Sequence, residues 1–104
     1  MDRKTIIRKL KNFKRQVGKD LPLDKVIFFG SRVRGKPQRY SDIDLIIVSP
    51  KFKQLDFVER GVKMYDYWDL GYPVDFLCYT PEEFKKLSNQ ITLVSAAVKE
   101  GIAI

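Results

Sequence analysis

Two aspartates separated by a single residue are the first candidates for chemistry in this 104-residue chain. Asp42 and Asp44 open a segment that becomes apolar through Val48, a pattern that predicts a strand over residues 42–48. Side chains at positions i and i+2 of a strand emerge on one face, about 6–7 Å apart along the backbone. Two carboxylates held that close favour a cation between them. Oxygen ligands without imidazole or thiolate select Mg²⁺ or Mn²⁺.

A third acid, Asp75, lies inside the otherwise apolar segment 74–79, which predicts another strand. A carboxylate in such a segment is costly to bury unless it is paired, hydrogen-bonded or bound to a metal. If the two strands are neighbours, Asp75 reaches the same ions as the first pair. A structural ion pair with Arg32 or Arg34 is the alternative.

A glycine and a serine follow the apolar run Lys25–Phe29, which predicts a buried strand. Without a side chain, Gly30 lets backbone N–H groups approach a phosphate, and the Ser31 hydroxyl can donate to it. A simple turn is the alternative for Ser31. The loop continues with four cations and no acid, and we expect one or two of these cations to contact phosphate: Arg32, Arg34, Lys36 and Arg39. A cationic loop that ends at metal-binding acids suits a nucleoside triphosphate.

The composite of Gly30-Ser31, ten further residues and Asp42-Ile43-Asp44 resembles the signature of the DNA polymerase beta-like nucleotidyltransferase superfamily. Asp75 falls where that superfamily places its third acid. The chain is most similar to the minimal nucleotidyltransferases. The resemblance implies one α/β domain over residues 1–104, a small mixed β-sheet with flanking helices, and the element order α-β-α-β-α-β.

The resemblance also implies an activity and a partner. Asp42 and Asp44 would hold two divalent ions, Mg²⁺ or Mn²⁺. Asp75 would complete one metal site and orient or deprotonate an acceptor hydroxyl. Gly30 and Ser31 would hold the triphosphate of ATP. Family members are typically antitoxins paired with a HEPN-domain ribonuclease toxin, and several transfer AMP to a tyrosine of that toxin.

Two other functions fit the same residues. The first is a non-catalytic binding module that keeps the nucleotide fold and neutralises its toxin by contact alone. The second is a nucleotidyltransferase that acts on RNA or on a small molecule. Intact Asp42, Asp44 and Asp75 argue against the first, and salt-dependent RNA binding would favour the RNA version of the second.

Composition excludes several other classes of site. The chain has no histidine and one cysteine, so it cannot form an internal disulfide, a Ser-His-Asp triad or a Cys/His zinc site. We expect the one cysteine, Cys78, to be a small core residue. No apolar run approaches the ~20 residues of a membrane span, and the first residues lack the apolar core of a signal peptide. We therefore expect a cytoplasmic protein that does not enter a membrane.

The net charge of +7 belongs to the first 19 residues, which hold eight of the 20 basic side chains and one of the 13 acids. Apolar residues at four-three-four spacing predict an amphipathic helix over residues 3–17: Ile6, Leu10, Phe13 and Val17. The basic face of this helix would then face solvent. A docking surface for an acidic partner or for RNA is the alternative.

Further elements complete the predicted sheet and its flanks. Residues 54–68 predict a helix whose apolar face is Leu55, Val58, Val62 and Tyr65. Thr80, Pro81 and Glu83 are typical of a capped helix start. A last helix over 91–100 and an edge strand over 102–104 follow. Four aromatic residues cluster near the second helix, some as core and some as an alternative patch for a dimer or a toxin partner: Tyr65, Tyr67, Trp68 and Tyr72.

Overall fold

The computed structural model describes residues 2–35 and 42–104. Lys36, Arg39 and Ser41 of the predicted cationic loop lie outside these ranges. The elements are α1 (Arg3–Gly18), β1 (Lys25–Phe29), β2 (Ile43–Val48), α2 (Phe57–Tyr65), β3 (Val74–Tyr79), α3 (Pro81–Ser88), α4 (Leu93–Glu100) and β4 (Ile102–Ala103). A short 3₁₀ helix, Pro50–Gln54, follows β2.

The four strands form one mixed sheet in the order β3-β2-β1-β4. β2 and β3 are parallel, whereas β1 is antiparallel to both β2 and β4. The predicted mixed sheet is therefore confirmed. The implied order α-β-α-β-α-β is wrong, since no helix separates β1 from β2 in the described part of the chain and two helices separate β3 from β4. Antiparallel neighbours need no crossover helix, whereas the parallel pair β2 and β3 requires one, which is α2.

The sheet buries apolar side chains on both faces. One face packs Ile43, Leu45 and Ile47 against the buried side of α1. The opposite face packs Ile46 and Val48 against α3 and α4. Successive strand residues alternate between these faces. The residues of β2 that share a face with Ile46 therefore lie on the α3 and α4 side.

The predicted α1 and the predicted start of α3 are confirmed. α1 buries all four residues of its apolar stripe, and its N-cap Asp2 accepts a hydrogen bond from the Thr5 N–H at 2.8 Å. In α3, Thr80 and Glu83 form a reciprocal capping box, with Pro81 at the first helical position. The local capping signals therefore match the tertiary fold at both helices.

The predicted apolar face of α2 is wrong. The helix is shorter than predicted, buries Arg60 and Met64, and leaves Val58 73% and Val62 61% exposed. Arg60 occupies the core side because its guanidinium is fully partnered there. Its Nε donates to the carbonyls of Phe52 and Leu55, and its Nη1 donates to the Cys78 carbonyl and the Glu83 carboxylate. Such bonds offset the cost of burying a charge.

Three of the four clustered aromatics pack on the core. The Trp68 ring meets Phe13 edge-on at 5.4 Å between centroids, and Tyr67 and Tyr72 are half-buried against the same cluster. Tyr65 is 54% exposed, with its ring edge-on to Phe76.

Cys78 is buried, as predicted. Among the residues placed by the structure, none of the helices has the length and apolar character to traverse a membrane.

Candidate active site

Two of the three candidate acids are brought side by side by the parallel strands. Asp44 of β2 is the register partner of Asp75 of β3. Partners in register emerge on the same face of a sheet, here the face that α3 and α4 cover further along both strands. Asp42 stands just before β2 and is exposed. All three acids therefore lie at the end of the sheet where β2 and β3 begin.

Gly30 lies directly against the Asp44 carboxyl group. β1 pairs with β2 so that Phe29 is opposite Asp44, and the chain leaves β1 through Gly30 with φ +89°. A Cβ at this position would overlap the Asp44 carboxylate oxygen and stand 3.0 Å from its Cγ. Position 30 thus requires glycine for two reasons, the positive φ of the backbone and the close approach of the Asp44 carboxyl group.

The residues after Gly30 form a helical turn. The N–H groups of Val33 and Arg34 both donate to the Gly30 carbonyl, at 3.0 and 3.2 Å. The N–H groups at the start of such a turn point toward its open end, an orientation that suits an anion. Ser31 is exposed. Arg3 Nη1 donates to the Val33 carbonyl at 3.1 Å, which attaches the start of α1 to this turn.

The two described arginines of the loop have partners that are distant in sequence. The Arg32 guanidinium lies over the Tyr72 ring, 4.9 Å from its centroid. Arg34 Nε lies 3.8 Å from a Glu100 carboxylate oxygen, and both side chains are largely exposed. Arg34 therefore pairs with Glu100 and not with Asp75. No local sequence signal links Arg32 to Tyr72 or Arg34 to Glu100, so the sequence analysis missed both contacts.

Asp44 experiences the charge of the other two acids. Burial raises the pKa of its carboxyl group, the Asp75 and Asp42 charges raise it further, and Arg34 lowers it. The surroundings of Asp44 therefore disfavour the ionised form of its carboxyl group. A bound cation would reverse this balance, because an opposite charge stabilises the carboxylate.

The donor chemistry of the three aspartates fits a hard divalent cation. Carboxylate oxygens without nitrogen or sulfur ligands are what Mg²⁺ and Mn²⁺ take. Within residues 2–35 and 42–104, no three carboxylate, thiol or imidazole groups converge closely enough to form a ready-made metal cluster. Burial raises the pKa of Cys78 to about 12, so its thiol stays protonated near neutral pH and is not a nucleophile there.

Comparison with known proteins points to one family. Residues 10–100 match the family described as the nucleotidyltransferase domain. Over 70 residues the chain is 39% identical to a Haemophilus influenzae protein named "Probable protein adenylyltransferase MntA". The matched segment covers 64% of this chain and 60% of that protein, so less than two thirds of the relative is represented.

Solved structures share the fold. A candidate nucleotidyltransferase from Sulfolobus solfataricus superimposes with a TM-score of 0.63 at 24% identity, over 90% of this chain and 74% of the other. A second candidate nucleotidyltransferase gives 0.50 at 25% identity, over 80% and 87%. BolA1 from Arabidopsis thaliana gives 0.54 at 18% identity, over 70% and 92%. A protein that is not named as a nucleotidyltransferase thus shares this arrangement of elements. The fold alone therefore does not indicate the activity, and function has to be argued from the site.

Proposed function

Because the chain belongs to the nucleotidyltransferase domain family, as a minimal member of the polymerase beta-like superfamily, we propose that it transfers AMP from ATP to a hydroxyl of a protein partner. The name of the Haemophilus relative supports both the nucleotide and the class of acceptor. The observation that carries the proposal is the register of Asp44 with Asp75, with Gly30 pressed against the Asp44 carboxyl.

Each residue of the site has a role in this proposal. Asp42, Asp44 and Asp75 would hold two divalent ions, Mg²⁺ or Mn²⁺, which would neutralise negative charge on the triphosphate and in the transition state. The N–H groups of the turn after Gly30 and the Ser31 hydroxyl hold the triphosphate tail. Arg32 and Arg34 stand in the same turn and supply positive charge to it.

The chemical step uses the more exposed acid of the strand pair. Asp75 is exposed whereas Asp44 is half-buried, so an acceptor from outside reaches Asp75 first. Asp75 orients the acceptor hydroxyl and takes its proton as the hydroxyl oxygen bonds to the α-phosphorus of ATP. The bond from that phosphorus to the oxygen bridging to the β-phosphate breaks, and pyrophosphate leaves.

The proposed acceptor is a tyrosine of a HEPN-type ribonuclease toxin. Its modification would inactivate the toxin, so the chain would act as an antitoxin. The family resemblance supports this partner, and the name of the Haemophilus relative supports a protein acceptor.

Transfer of label from α-labelled ATP tests the proposal. The full chain is incubated with Mg²⁺, labelled ATP and a purified HEPN-domain ribonuclease toxin, and the labelled tyrosine is located by mass spectrometry. Asp44→Asn and Asp75→Asn should each lower transfer at least about 100-fold, because charge stabilisation at the phosphates is lost. The matched control is Asp24→Asn, an exposed aspartate at the opposite end of β1, which should transfer normally.

Two results would overturn the proposal. Wild-type rates in both site variants would remove the aspartates from catalysis. Toxin neutralisation without label on any partner, unchanged in the variants, would establish the contact-only binding module instead. Circular dichroism spectra of the variants exclude unfolding as the cause of lost transfer.

A further inference from the structure

The outer side of α1 carries a single row of cations. With 3.6 residues per turn, the side opposite the buried stripe is occupied at spacings of four, three, four and four residues. All five side chains on it are exposed, the last being the C-cap of the helix. We call these residues the α1 basic row: Lys4, Arg8, Lys11, Arg15 and Lys19. The row is about 22 Å long at 1.5 Å per residue.

These charges are not balanced by acids within the helix itself. α1 contains no acid, and the one acid among the first 19 residues is its N-cap, Asp2. The ion pairs Arg34–Glu100 and Arg60–Glu83 include no member of the row. Arg15 Nη1 lies 3.4 Å from the side-chain oxygen of Asn12, which is neutral.

A row of like charges costs helix stability. Like charges at i,i+3 or i,i+4 destabilise a helix by about 0.2–0.5 kcal/mol per pair, and the row contains four such pairs in succession. α3 shows the ordinary alternative, with Glu82 and Glu83 followed by Lys85 and Lys86. Solubility alone does not require that all charges on the exposed face of a helix have the same sign. We propose that the α1 basic row binds the phosphate backbone of double-stranded nucleic acid, independently of sequence.

The side chains of the row favour nucleic acid over an acidic protein. The central parts of protein interfaces are enriched in aromatic residues and depleted of lysine, whereas the row has three lysines and no apolar or aromatic member. Lysine and arginine contact phosphates as solvated charges, with release of counterions from the nucleic acid. Single strands are usually held by stacking on aromatic rings, which the row lacks, so a duplex backbone fits better.

The row begins beside the candidate active site. Arg3 precedes the first member of the row and donates to the Val33 carbonyl in the turn after Gly30. The other end of the row lies at the C-cap of α1, Lys19. The proposal concerns binding alone and does not rest on nucleotidyl transfer.

Fluorescence anisotropy with the full chain, without ATP, tests the inference. The probes are labelled 20-base-pair RNA and DNA duplexes of random sequence, titrated between 25 and 200 mM KCl. Lys11→Gln combined with Arg15→Gln should weaken binding about tenfold at low salt. It should also reduce the slope of log Kd against log salt by about 1.8, because each lost phosphate contact removes about 0.9. Comparison of the RNA and DNA arms identifies which duplex is preferred.

The matched control is Lys85→Gln combined with Lys86→Gln, which removes the same charge from the exposed side of α3. It should bind within about twofold of wild type. Equal weakening in both double variants would overturn the inference, since bulk charge would then suffice. Absence of duplex binding at 25 mM KCl, or tighter binding to polyglutamate or to single-stranded RNA, would also overturn it. The row variant should melt no lower than wild type, because repulsion has been removed.

Discussion

Gly30 shows how one missing side chain determines the position of a functional group. Its φ of +89° is one that residues with a Cβ rarely adopt, and the space beside it is filled by the Asp44 carboxyl. Any residue with a Cβ at this position would therefore suffer both backbone strain and steric overlap with Asp44. The two effects can be separated because Gly71 has a similar φ, +77°, with nothing within 4 Å of the position of a Cβ.

We expect Gly30→Ala to destabilise the fold by about 2–4 kcal/mol, as strain and displacement of Asp44 add. Gly71→Ala should cost about 1 kcal/mol, since only strain is introduced. Urea unfolding at pH 7 measures both free energies. Label transfer should fall sharply in Gly30→Ala and persist in Gly71→Ala. If the two variants are equally stable and equally active, the contact between Gly30 and Asp44 has no energetic or functional role.

An arginine fixes how α2 packs on its neighbouring elements. The Arg60 guanidinium joins the 3₁₀ helix, β3 and α3 through the carbonyls of Phe52 and Cys78 and the carboxylate of Glu83. Partial burial alone would raise the pKa of Glu83, but hydrogen bonds from Arg60 and the Thr80 N–H hold it below its usual range. One side chain thus connects four elements.

Arg60→Met should destabilise the protein by about 2–4 kcal/mol, because three carbonyls lose a donor and Glu83 loses its partner. The loss is kept toward the lower end of this range because the Glu83 side chain is 45% exposed, so its carboxylate is hydrated when Arg60 is removed. Arg60→Lys should fall between wild type and Arg60→Met, since an ammonium cannot reproduce the fork of contacts. Unfolding in urea measures the series.

The exposed face of α2 provides the control for that series. Val58→Ser and Val62→Ser should each change the free energy of unfolding by less than about 0.5 kcal/mol, as expected for surface positions. If these two variants lose much of their free energy of unfolding while Arg60→Met loses none, the buried face of α2 is the apolar face predicted from the sequence.

The elements that the sequence predicts well are those specified by local signals. The stripe of α1 and the capping box of α3 each lie within one segment, so spacing alone identifies them. The strands of Asp44 and Asp75 were likewise evident from apolar runs, whereas their register appears only in the sheet. The face of α2 could not be predicted, because the acceptors that make burial of Arg60 favourable come from separate segments.

The arginines of the candidate site show the same limit. Arg32 contacts Tyr72 and Arg34 contacts Glu100, pairs that are far apart along the chain. Their partners depend on how β1, β3 and α4 meet. Residue types, spacing and the family resemblance all pointed to the three aspartates and the glycine-serine turn, but none of them pointed to these contacts.

The proposed site should lower the stability of the entire fold until a cation binds. The pKa of Asp44 is raised by burial and by the other two acids. A carboxyl group with a raised folded-state pKa contributes stability that is complete below its unfolded-state pKa and is lost as pH rises through the folded-state pKa. In the absence of divalent ions, the ionised Asp44 therefore destabilises the folded protein at pH 7.

Asp44→Asn should consequently melt at a higher temperature than wild type at pH 7 in EDTA, and the difference should shrink as pH falls toward the ordinary aspartate pKa of 3.8. Adding Mg²⁺ and ATP should reverse the order. At ten times Kd, ligand stabilises the folded state by about 1.4 kcal/mol, roughly 6–10 °C for a domain of this size. Differential scanning fluorimetry with Asp24→Asn as control measures both effects. If Asp44→Asn melts below wild type in EDTA, the Asp44 carboxylate is not destabilised by its neighbours. If it gains as much from Mg²⁺ and ATP as wild type does, Asp44 is not part of a metal-nucleotide site.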